Sequence, residues 1–253
     1  MSPTAWLLLK GLVRERRQWG TLPERLRAAG DEVTLLDLPG VGTERHRRSP
    51  TTITAIVDDL RARWLRSRGH GDRPWRLFAP SLGGMIALRW AERWPDDLAG
   101  VAVCNTSAKD VARPLQRFSP EALRTLVRAV PAAGVARERH ILQLVSNTEH
   151  GRAHAVAFAE AAADAPLGVG LLLRQLWAGS GARTPERVRA PVLVLASLGD
   201  RLCHPDASRA LAARLHAPLR VHPSGGHDLA LDDPDWVVAE LRAWVADTAP
   251  GKG

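Results

Sequence analysis

No apolar run in this chain approaches the roughly 20 residues needed to cross a bilayer. The short stretch Trp6 to Leu9 near its start has no basic segment ahead of it, so the expected location is cytoplasmic, without a membrane span. Cysteine is scarce. Cys104 and Cys203 are far apart and lack metal-ligand spacing, which argues against a disulfide framework and a zinc site and leaves two buried, reduced thiols. Only three of the 35 basic residues are lysines: Lys10, Lys109 and Lys252. The arginines that make up the +8 charge are dispersed among acidic neighbours, as in Asp58-Asp59-Leu60-Arg61-Ala62-Arg63, with no basic stripe interleaved with aromatics. A nucleic-acid partner would therefore rest on net charge alone and is not expected. Internal repeats and low-complexity linkers are also missing, and only Ala249 to Gly253 reads as a disordered tail.

What is present, in 253 residues, is βα alternation. Short apolar runs at Trp6–Leu9, Val33–Leu38, Leu77–Ala79, Val101–Cys104, Val192–Ala196 and Leu219–His222 are separated by helical stretches. The pattern predicts an α/β fold with a mostly parallel sheet covered on both faces. Strand signals vanish between about Ser107 and Pro185, where Glu121–Val130, Ala136–Val145, Ala153–Ala163 and Leu167–Trp177 repeat at helical spacing. Four amphipathic stretches can bury a common face. The expected organisation is thus a core of 1–106 and 186–253 with a helical cap inserted at 107–185. Asp233-Pro234 predicts the start of the last helix, with Asp as N-cap and Pro at its first position.

Phe78-Ala79-Pro80-Ser81-Leu82-Gly83-Gly84-Met85 places a single hydroxyl between a strand and a helix. Such a strand-to-helix turn is a nucleophile elbow, with small residues where the two elements cross; a serine that merely caps the helix is the plainer alternative. Proline before the serine belongs where the strand has just ended, because it donates no ladder bond. A serine hydroxyl needs a base and the base an orienting carboxylate. Asp200 follows the strand Val192–Ala196, and His227 follows the last strand in Gly225-Gly226-His227-Asp228, on a loop expected to be flexible. Loops at the carboxyl ends of parallel strands converge on one edge. Asp228 is the substitute for Asp200 as acid; Asp206 is expected to cap the next helix, and His204, His216 and His222 to be structural or solvated. Backbone amides of Leu82, after the serine, and Leu12, after Lys10-Gly11, are the candidate oxyanion donors.

These segments, with Leu36-Asp37-Leu38-Pro39-Gly40-Val41-Gly42, resemble the α/β-hydrolase superfamily over about residues 5–106 and 188–247. The layout is similar to small capped carboxylesterases, including the pimeloyl-carrier methyl esterase type. The resemblance implies the α/β-hydrolase fold and hydrolysis of a small-molecule ester through a serine acyl-enzyme, with no cofactor. Thioester, amide or C–C bond hydrolysis on the same triad, or a non-catalytic receptor, are the alternatives. It also permits an acidic carrier protein as partner, with Arg113, Arg117, Arg124 and Arg128 facing it. The chain departs from the superfamily pattern in having Lys10 where a histidine is usual, and Ala79-Pro80 where glycine and histidine precede the serine.

Overall fold

The computed structural model describes residues 3–67, 75–163 and 168–248; the expected disordered tail lies outside them. Among these residues six strands form one sheet in the order β2-β1-β3-β4-β5-β6, every pair parallel. The strands are β1 (Ala5–Leu9), β2 (Glu32–Leu36), β3 (Trp75–Pro80), β4 (Gly100–Cys104), β5 (Val192–Ser197) and β6 (Leu219–His222). Parallel pairing needs crossovers, and the helices supply them. They are α1 (Leu22–Ala28), α2 (Ile53–Ser67), α3 (Leu82–Arg93) and α10 (Pro205–Leu215), while α11 (Leu229–Asp232) and α12 (Pro234–Asp247) follow the last strand. Between β4 and β5 run α4 (Pro114–Arg117), α5 (Pro120–Ala129), α6 (Gly134–Val145), α7 (Glu149–Ala153), α8 (Ala155–Ala163) and α9 (Val169–Ser180).

The two-residue side-chain period of a strand decides what covers each face. On β1, Leu7 and Leu9 pack with Ile56, Trp64 and Trp90 of α2 and α3, while Trp6 and Leu8 pack with Leu22, Leu26 and Trp244 of α1 and α12. Both faces are dry, so the strand reads as a continuous apolar run. Trp64 wedges edge-on between Trp75 and Trp90, with centroids 6.1 and 5.6 Å away.

The inserted helices do not all share one face. Ala122, Leu142, Leu144, Ala155 and Phe158 of α5, α6 and α8 bury a separate cluster together with Leu231. By contrast α9 leans on the main core through Ala178 and Leu171. Two local expectations change as well. Pro80 is the last residue of β3, paired with Cys104, rather than beyond the strand. The next residue, Ser81, donates its N–H to Cys104 O at 2.8 Å. Alternation therefore aims the Pro80 nitrogen at β1, past the last β1–β3 pair Leu8 and Phe78, where no ladder bond is lost. Helix α10 is capped by His204, whose ring accepts from Asp206 N, and Asp206 itself sits in the first turn. Asp233 caps α12 through Trp236 N, as expected.

Candidate active site

Ser81 has φ 55° and ψ −127°, in the positive-φ region that side chains avoid. Such strain persists only where the surroundings over-determine it. They do so here: β4 accepts the Ser81 N–H, and Thr106 Oγ1 donates to Ser81 O at 2.6 Å. Close approach sets the glycines. A Cβ on Gly83 would stand 2.7 Å from the carbonyl oxygens of Leu9 and Lys10, and one on Gly11 would stand 3.0 Å from Ser81 Cβ. The loop after β1 is thus pressed against the serine. Val13, also at positive φ, donates its N–H to Gln175 Oε1 at 2.8 Å. Leu82 begins α3, where the first N–H groups have no intrahelical acceptor.

His227 and Asp200 meet across the ends of β5 and β6, Nδ1 to Oδ2 at 2.7 Å, with the carboxylate buried. The other carboxylate oxygen of Asp200 accepts from Leu202 N and Cys203 N at 2.8 and 2.9 Å. Burial opposes a charge on His227, but the charge and hydrogen bond of Asp200, joined by the charge of Asp228, outweigh it and raise its pKa. Burial, aided by Asp200, pushes the Cys203 thiol up to about 12. Burial, with Asp228 and Asp200, raises Cys104 well above its ordinary value. Neither thiol is then a nucleophile near neutral pH.

Asp228, the substitute acid, turns the other way. Its Oδ2 pairs with Lys10 Nζ at 2.6 Å, and the ammonium lies 4.5 Å from the centroid of Trp19. This pair was not foreseen; its one sequence signal is a rare lysine closing an apolar strand. Asn105 was missed too. It donates to the carbonyls of Gly226 and His227 at 3.1 and 2.9 Å and accepts from Ser197 N at 2.9 Å, tying β4, β5 and the histidine loop together. That loop is packed rather than flexible: a Cβ on Gly226 would stand 2.6 Å from Val145 O. Asp232 fastens it to the insert, accepting from Gly226 N at 2.6 Å, Asn147 N and Thr148 Oγ1 at 2.9 Å, and Ser146 Oγ.

Two chambers open on Ser81. One, of about 90 Å³, includes His227, Asp228, Lys10 and Arg14 among apolar side chains of α5 and α6. The other, of about 320 Å³, includes Leu82, Met85, Leu176 and Gln175. Leu12, Phe118 and Leu202 border both. Of the four arginines, Arg124 and Arg128 line a surface cleft with Arg152 and Arg201. Arg117 instead folds back onto the carbonyls of Gly179 and Ser180 at the end of α9. Arg113 flanks the start of α4 and contributes to neither chamber. Among the described residues no group of three His, Cys, Asp or Glu could hold a metal ion, and no helix is long and apolar enough to cross a membrane.

The family described as serine aminopeptidase, S33 matches residues 4–234. The chain belongs to this family of α/β-hydrolases. This hydrolase is 29% identical over 186 residues to the putative carbamate hydrolase RutD of Cronobacter sakazakii, covering 72% of this chain and 69% of that protein. Its fold is similar to the enol-lactonase of Burkholderia xenovorans, with a TM-score of 0.74 at 20% identity over 97% of this chain and 92% of the other. A thermophilic esterase of Thermogutta terrifontis gives 0.72 at 22% identity over 98% and 91%.

Proposed function

We propose that this α/β-hydrolase is a serine hydrolase that cleaves a carboxylic ester, with Ser81 as nucleophile, His227 as base and then acid, and Asp200 orienting the imidazole. The observation that carries this reading is that His227, paired with the buried Asp200, opens with the strained Ser81 onto one chamber. Asp200 accepts Nδ1–H, so Nε2 is the nitrogen that takes the Ser81 proton as Oγ attacks the carbonyl carbon. The N–H groups of Leu12 and Leu82 stabilise the tetrahedral oxyanion. As that oxyanion collapses, the C–O bond breaks and His227 returns the proton to the departing alcohol. A water activated by the same imidazole then hydrolyses the acyl-enzyme. The helices of 107–185 act as a cap over the site.

A carbamate or amide cleaved by the same groups is the second reading, favoured by the relationship to the putative carbamate hydrolase RutD. A receptor without chemistry has no physical need for the Ser81, His227 and Asp200 set. Fluorophosphonate labelling, with a panel of p-nitrophenyl esters and carbamates, separates the three. Wild-type protein should label at Ser81 and turn over esters, and Ser81→Ala should remain folded while losing both, with turnover down on the order of 10⁴ to 10⁶. An alanine variant that keeps more than about a tenth of the rate would remove Ser81 from the role.

A further inference from the structure

Gln175 on α9 is completely buried, and its Oε1 accepts the Val13 N–H. An N–H needs an acceptor, so this bond fixes which end of the carboxamide faces Val13. The other end, Nε2, carries two N–H donors and has no partner. A buried amide donor left unpaired is costly, and in native proteins such a group calls for an explanation. Gln175 lines the larger chamber, together with Ser81, Leu12 and Leu82. The walls around it are Leu82, Met85, Phe118 and Leu176, and Arg117 is already engaged by the Gly179 and Ser180 carbonyls. Among the described residues lining this chamber, Gln175 supplies the buried side-chain donor without a partner.

The chemistry assigns the chambers their halves of the substrate; this step rests on the serine-hydrolase reading. His227 must protonate the leaving alcohol, so that group occupies the chamber His227 lines. The chamber holding both candidate oxyanion amides and not His227 takes the acyl group. We propose that Gln175 Nε2 is an acyl-recognition donor, and that the substrates are esters whose acyl chain carries an oxygen acceptor such as an ether, oxo or hydroxyl oxygen. The same side chain, through Oε1, holds the Val13 loop beside Ser81, so acyl recognition and the oxyanion loop share one carboxamide.

The test compares p-nitrophenyl pentanoate with its two isosteric ethers, the 3-methoxypropanoate and 2-ethoxyacetate esters. Each kcat/KM is divided by the hydroxide-catalysed rate constant to remove intrinsic reactivity. Wild-type protein should favour at least one ether on the order of ten-fold, the usual scale for a buried donor gaining its acceptor. Gln175→Met removes the donor at nearly constant volume, and the preference should collapse toward that of the uncatalysed reaction. A ratio near that of hydroxide in the wild type, or a preference that survives in Gln175→Met, overturns the proposal. Should the variant not fold, the wild-type ratio alone decides. Absence of turnover with all three esters would instead sink the ester reading itself.

Discussion

Lys10 and Asp228, 218 residues apart in sequence, meet in a buried ion pair of 2.6 Å that joins the loop after β1 to the residue following His227. Burial lowers the Lys10 pKa despite the Asp228 charge, so the pair holds its charges against a desolvation penalty. Asp228 Oδ1 already lacks a partner. Lys10→Met would leave the carboxylate stranded, at a cost of about 3 kcal/mol in urea unfolding. Adding Asp228→Asn should restore part of that loss. A double variant no more stable than Lys10→Met would show that the ammonium contributes through Trp19 rather than through the ion pair.

The roles of the two carboxylates separate by substitution. Asp200→Asn should keep the fold and favour the wrong imidazole tautomer, lowering kcat by roughly 10⁴. Asp228→Asn should cost far less, because its carboxylate faces Lys10. Steady-state kinetics giving the reverse ranking would exchange the assignments.

If His227 is the proposed base, its raised pKa sets the acid limb of the pH profile. The base must be neutral, so kcat/KM should fall as pH drops through a value above that of an ordinary histidine. Asp228 contributes to the elevation, and Asp228→Asn should move the limb to lower pH; an unmoved limb would refute the coupling. The same shift stabilises the fold fully below the unfolded-state pKa, a contribution lost as pH rises through the folded value.

Arg124, Arg128, Arg152 and Arg201 line a cleft that contains Glu121 as its one acidic wall residue. If the ester rides on an acidic carrier, kcat/KM for the carrier-bound form should drop steeply between 0.1 and 1 M salt, as the Debye length shrinks from about 10 to about 3 Å. The rate for a small neutral ester should stay nearly flat. Parallel responses would make the positive charge compositional.

The strand-to-helix turn at Ser81 and the loops carrying Asp200 and His227 were legible because each depends on a few adjacent residues: a strand, a turn and a small side chain at a crossing. Helix α12 was legible for the same reason, since Asp233-Pro234 is a local start signal. Contacts that close over long separations were not. Nothing near Lys10 announces Asp228, nothing near Asn105 announces Gly226, and Gln175 reads as one more polar position on an amphipathic helix. Helices α4, α7 and α11 span only four or five residues, too few to show a period. Gly225-Gly226 misled because glycine serves both mobility and close approach, and only the neighbouring Val145 carbonyl and Leu229 side chain distinguish them.

Asp232 gathers donors from Ser146, Asn147 and Thr148 of the insert and from Gly226 of the histidine loop. Residues 146–148 and the loop bearing His227 are therefore held as one part. A chimaera that borrows residues 107–185 without Gly226 to Asp232 would keep the packing of α9 on the main core but lose this clamp, and a donor stripped of that insert would lose the clamp on its own His227 loop. Exchange of this segment of the chain should succeed best where both pieces travel together.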